Sequence, residues 1–167
     1  VSDGLDGSAW QMGRAALGGL LPQSTRRAVL ALTAKAARRL GYFAEAVACC
    51  RELLTMLSPG DPEHTRTTAI VEVLESAPGG LYLVEVNELT RSPDAGQPGW
   101  PDRSGFYCLA NDAVLAAALR DRAAELIARG QAKMDAAQAI QPTDQTRART
   151  GYREADDLFG QADAIVA

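Results

Sequence analysis

The residues "RRLGYFAEAVACCRELLTMLSP", positions 38 to 59, constrain this chain more than any other stretch. A glycine is followed by two aromatics, and Phe43, Ala46, Val47, Cys50, Leu53, Leu54 and Leu57 then recur three and four apart, as on one broad face of a helix. Pro59-Gly60 ends the pattern. Alanine and cysteine stand where a buried face would ordinarily carry leucine. Side chains that small fill a core only when the neighbouring backbone comes close, so the stretch predicts a helix packed tightly against another helix.

The rest of the chain is punctuated in the same way. "SAWQMGRAALGGLL" predicts a helix capped by Ser8, weakened by Gly13, Gly18 and Gly19, and ended by Pro22. Ser24 or Thr25 is expected to cap a second helix through Val29, Leu30, Leu32, Thr33, Ala36, Ala37 and Leu40, with Gly41 as its left-handed stop. A third runs from about Tyr42 to Leu57. Asp61-Pro62 opens a fourth that reaches Ser76. From 78 to 105 the texture changes, with five glycines and four prolines in 28 residues. "LYLVEV" at 81–86 is the chain's one strand-like run, and a lone strand has nothing to pair with, so an extended loop or a short ribbon across a dimer is expected. Asn111 or Asp112 is expected to cap a long helix that continues until Pro142 unless Gly130 marks a bend. Thr143 or Asp144 caps the last helix, whose stripe is Ala148, Tyr152, Ala155, Phe159, Ala162 and Ile165. The expected fold is all-α: a single domain, 1–167, with N-terminal helices at 8–77, an irregular loop at 78–105 and a long helical hairpin at 106–167.

Composition agrees. At 167 residues the chain is long enough to bury a core unaided, and only 5% of it is aromatic, which again points to small and aliphatic packing. The net charge of −4 conceals an asymmetry: residues 1–52 carry seven Lys/Arg and four Asp/Glu, residues 53–167 ten and seventeen. That basic excess is too small for a nucleic-acid footprint. No apolar run is long enough to span a membrane, and residues 1–10 lack the basic start and apolar stretch of a secretory leader. Cys49, Cys50 and Cys108 read as reduced, buried thiols, because neighbours on a helix point about 100° apart; a cytoplasmic setting is the expectation.

Catalytic and metal chemistry find little foothold. His64, beside Glu63, reads as a solvated first-turn residue. No phosphate-binding glycine loop, nucleophile elbow or zinc-protease motif is present. Glu72 with Glu75, and Glu154 with Asp156 and Asp157, read as solvated helix faces. The expectation is a chain without catalytic residues, metal or cofactor.

Residues 27–59 resemble a tetratricopeptide repeat, a two-helix unit of about 34 residues. Leu30, Thr33, Ala34 and Ala37 match the first helix of that unit, and Gly41, Phe43, Ala46, Cys50, Leu53 and Pro59 the second, a match that implies Ala34 facing Ala46 where the two helices cross. Leu30 stands where the family usually has an aromatic, Thr33 replaces a large aliphatic, and the proline falls one residue late. Tyr152, Ala155, Phe159 and Ala162 echo a second repeat helix, although regular 34-residue spacing is absent. The resemblance implies antiparallel hairpins stacked as a right-handed array, and a noncatalytic scaffold or adaptor whose groove takes a protein or peptide. It carries the groove-facing positions onto Ala28, Ala31, Lys35 and Arg38. Lys35 and Arg38, three apart, suit an acidic partner segment or form a pair of solvated cations. Trp100 in the loop either pins the loop or anchors a partner. Two other functions are compatible with the sequence: an all-α enzyme or small-molecule binder with a pocket under the 78–105 loop, using Trp100, Tyr107 and Cys108, and a homo-oligomer joined through the terminal hairpin.

Overall fold

The computed structural model describes residues 3–76 and 103–167, with side chains described for 6–76 and 112–167. Those residues form six helices and no strand: α1 Asp3–Leu17, α2 Gln23–Arg39, α3 Phe43–Leu54, α4 Pro62–Ser76, α5 Arg103–Ile140 and α6 Gln145–Val166. The all-α expectation is met. "LYLVEV" and the loop to residue 102 lie outside the described residues, and the last three residues assigned to that loop, 103–105, belong to α5.

The α2–α3 hairpin turns where the glycine was expected to turn it. Gly41 has φ 82°, in the left-handed region, and the backbone closes a Schellman turn: Tyr42 N–H donates to Ala37 O (2.8 Å) and Gly41 N–H to Arg38 O (3.1 Å). So short a turn sets the register of the two helices. Leu30 with Leu53, Ala34 with Cys50, and Ala37 with Ala46 share core clusters, stepping away from Gly41 one helical turn at a time. This corrects the Ala34–Ala46 pairing by one turn. α4 returns along α3, placing Val71 in the Ala34–Cys50 cluster and Leu74 in the Ala37–Ala46 cluster.

Several boundaries differ from expectation. α1 begins before Ser8, runs through Gly7 and Gly13, and stops at Leu17. Tertiary packing overrides propensity there, because Gly13 presses against Thr33 of α2. Pro22, not Ser24 or Thr25, occupies the cap position of α2, which has no side-chain cap bond; the Pro22 carbonyl accepts from Arg26 N–H at 2.8 Å. α3 ends at Leu54, with Leu57 buried in the turn that follows. α5 starts eight residues before Asn111, since no proline interrupts it between Pro101 and Pro142. The expected cap of α6 is present: the Asp144 carboxylate accepts from Arg147 N–H at 2.9 Å.

α5 and α6 form a long antiparallel hairpin, and α4 lies against it, with Ala69 in a cluster with Leu115, Leu119, Leu126, Ala162 and Ile165. Gly130 does not bend α5. A Cβ there would fall 2.6 Å from the Phe159 ring, so the glycine makes room for that ring. Farther along the arm the interior is lean, with Ala137, Ala148 and Ala155 as its buried residues and Gly151 against Ala137.

Charged side chains tie the two parts together. Arg38 reaches Asp112 of α5 at 3.1 Å, Arg39 reaches the same carboxylate at 3.1 Å, and Arg39 also reaches Asp6 of α1 at 2.8 Å. Asp112, expected to cap a helix, is instead an internal partner for two arginines.

Candidate functional site

α1 and α2 do not close over one another along their full length. Between them runs an open groove of about 510 Å³, floored by Ala9, Met12, Gly13, Ala16, Val29, Leu32 and Ala36 and rimmed by Asp6, Lys35 and Arg39. Its shape follows from its residues. The contact of Gly13 with Thr33 brings the helices together on the core side, while the small Ala9, Ala16 and Ala36 leave the outer side shallow. Met12 and Leu32 stand at 72% and 65% exposure, unusually open for large apolar side chains.

The four α2 positions suggested by the tetratricopeptide resemblance do not act as one set. Lys35 is exposed and lines the groove. Ala28 is exposed, one turn before Leu32 on the same helix. Ala31 is half-buried and packs against the Leu30–Leu53–Leu57 cluster. Arg38 points elsewhere: its side chain is 14% exposed and is held by Asp112. Burial draws the Arg38 guanidinium below its ordinary value, with Asp112 acting in the opposite direction. Trp100 lies outside the described residues, as do the side chains of Tyr107 and Cys108.

Every arginine of α2 has an anionic partner. Arg26 holds Glu52 (2.6 Å), Arg27 holds Glu63, and Arg38 and Arg39 hold Asp112 and Asp6. Among the described residues, Lys35 is the one basic side chain of α2 without an ion pair. The groove therefore offers an apolar floor and one uncommitted cation. Met12, Val29 and Leu32 were not singled out by sequence as groove residues. The available signal was the width of the α2 stripe, which is more apolar surface than one neighbouring helix covers.

A second concavity, of about 740 Å³, lies where α4 meets α5 and α6. It is polar, with His64, Thr65, Thr68, Arg129, Asp156 and Asp157 on its walls. Arg122 and Glu72 are paired across it, and the Thr68 hydroxyl donates to the His64 carbonyl at 2.9 Å. Among the described residues no group of three or more His, Cys, Asp or Glu side chains could hold a metal ion.

Cys49 and Cys50 are both free thiols, half-buried and buried respectively. Burial raises both above the ordinary value, Cys50 to about 11. At pH 8 both should therefore be protonated and sluggish, with iodoacetamide labelling Cys49 well ahead of Cys50 in the native chain. Peptide mass mapping after timed quenching reads the order, and equal labelling of the two would contradict the packing of Cys50 against Ala34 and Val71.

No protein-family model matches the chain, and comparison with curated proteins and with solved structures finds no match. Among the described residues no helix is long and apolar enough to cross a membrane.

Proposed function

We propose that this chain is a noncatalytic interaction module, a scaffold or adaptor built on a tetratricopeptide-like hairpin, which receives an amphipathic partner helix or peptide in the groove between α1 and α2. The observation that carries this reading is the combination of Met12 and Leu32, two large apolar side chains left open on the groove, with Lys35, the α2 cation that no carboxylate among the described residues occupies. An apolar ridge from the partner would cover the floor, and a carboxylate on its flank would meet Lys35. The α2–α3 unit supports the family reading through its Gly41 turn and the shared clusters of Leu30, Ala34, Ala37, Ala46, Cys50 and Leu53.

The test begins with a photo-crosslinking residue at Leu32, to capture the partner from a lysate of the source cell, and then measures that partner's affinity for variants of the groove. Leu32→Asp should weaken binding at least about tenfold, since it places a charge on an apolar contact. Lys35→Glu should weaken it by a few-fold, the range for an exposed ion pair of about 0.2–1 kcal/mol. Arg38→Glu is a poor probe, because it breaks the bond to Asp112. Unchanged affinity in both Leu32→Asp and Lys35→Glu would overturn the groove assignment.

A further inference from the structure

The last helix carries its charges the wrong way round. Its N-terminal half holds Arg147, Arg149 and Arg153 and no acidic residue, while from residue 154 onward it holds Glu154, Asp156, Asp157 and Asp163 and no basic one. The helix dipole favours the opposite layout, acids at the N-terminus and bases at the C-terminus, so this segregation works against the stability of the isolated helix. Among the described residues the Asp144 cap offsets it in part. Glu154 is paired with Lys133 at 2.6 Å, whereas the other six charges have no ion pair among the described residues, and all six are exposed.

The neighbouring arm has its own uncovered feature. Ala124, Ile127, Gln131, Met134 and Gln138 of α5 alternate three and four apart, the spacing of a coiled-coil seam, and all are exposed. Ile127 is 50% exposed and Met134 36%. Ile127 follows Leu126 by one position and so lies about 100° round the helix from a side chain in the cluster that receives α4.

We propose that the α5–α6 hairpin is a homodimerisation arm, and that a second copy of this chain packs on it antiparallel, about a two-fold axis. The charge layout is what selects that occupant. Arg149, Arg153, Asp156 and Asp163 fall within about 80° of one another round α6; a side that is basic at one end and acidic at the other is complementary to itself when reversed, and a two-fold axis satisfies both halves at once, arginines of each copy facing aspartates of the other. Ile127 and Met134 supply the apolar contact between them, with Gln131 and Gln138 beside them on the seam. The size is adequate: α6 is about 33 Å long, and two helices side by side present a face about 20 Å wide, so each copy offers roughly 660 Å², a total near the 1,200–2,000 Å² of standard interfaces.

Sedimentation equilibrium of the full chain, at about 1–200 µM in 50 mM and 500 mM NaCl, tests the proposal, with circular dichroism as the control for folding. The parent chain is expected to dimerise at low salt and to dissociate more readily at high salt. Ile127→Asp with Met134→Asp should weaken the dimer at least about tenfold without loss of helicity. Arg149→Glu with Arg153→Glu makes this side of α6 acidic throughout, and Asp156→Arg with Asp163→Arg makes it basic throughout. Each of these variants alone should be monomeric, and an equimolar mixture of the two should form a heterodimer. A parent chain that stays monomeric across the concentration range at 50 mM salt overturns the proposal. So does a dimer that the seam and charge variants leave intact, or a mixture of the charge variants that does not associate.

Discussion

Leu30→Ala should lower the stability of the chain by about 2–5 kcal/mol, and its Tm by on the order of 10 °C for a chain of this size. Leu30 has no exposed surface. It packs with Leu53 and Leu57 of the α3 region, with the half-buried Leu17, Ala31, Cys49 and Met56 around them. Alanine is at least as good a helix former as leucine, so the loss reports packing and the cavity left behind, not α2 propensity. The residues around the site are anchored in three helical segments and have limited freedom to collapse inward. Leu30→Met, which nearly preserves volume, should cost less than about 1.5 kcal/mol. Urea unfolding followed by circular dichroism measures both, and a loss under about 1 kcal/mol for Leu30→Ala would show that α2 and α3 are not packed in this register.

Gly13→Ala should also destabilise, although alanine is the better helix former by about 1 kcal/mol. A Cβ at position 13 would stand 2.0 Å from the Thr33 hydroxyl oxygen, and Thr33 is 1% exposed, its hydroxyl donating to the Val29 carbonyl at 2.7 Å. That side chain is hemmed in by its own helix and by α1, so the added methyl drives the helices apart, an overpacking cost of about 1–3 kcal/mol. Thr33→Ala removes the obstructing oxygen. The double variant Gly13→Ala, Thr33→Ala should therefore be more stable than the sum of the two single changes by a similar 1–3 kcal/mol. A cycle that is additive within about 0.5 kcal/mol would mean that α1 lies farther from α2 than the structure places it.

What could be read from sequence here was local, and what could not was long-range. The stop at Gly41, the cap at Asp144 and the α6 stripe each depend on residues within a few positions, and all were expected. Gly13 reads as weakening α1, and Gly130 leaves a bend in α5 open, because a glycine's propensity is all that the local sequence shows. It says nothing of Thr33 or Phe159, which lie 20 and 29 residues away and are the reason each glycine is tolerated. Arg38 looked like a free cation for the same reason: Asp112 is distant in sequence and read as a cap. The groove was half legible. Lys35 was picked out, while Met12 and Leu32 were absorbed into stripes assumed to be buried, because hydrophobic periodicity shows which side is apolar and not whether anything covers it.

The carboxylate of Asp112, shared by Arg38 and Arg39, also bears on how fast the chain assembles. It joins α2 to α5 across about seventy residues, and closing a loop of that length costs on the order of 4 kcal/mol in chain entropy. The Gly41 hairpin, whose partners are a few turns apart in sequence, has almost no such barrier and is the natural early event. The docking of α1 on α2, through Asp6 and Arg39, spans fewer residues and should come next, and the bridge to Asp112 last, once α5 has consolidated. In kinetic terms, Asp112→Asn should speed unfolding and leave the refolding rate nearly unchanged, whereas Ala37 and Ala46 variants should slow refolding. The order in which the parts meet is thus written in sequence separation: the N-terminal helices close on one another first, and their tie to the second half of the chain is made last.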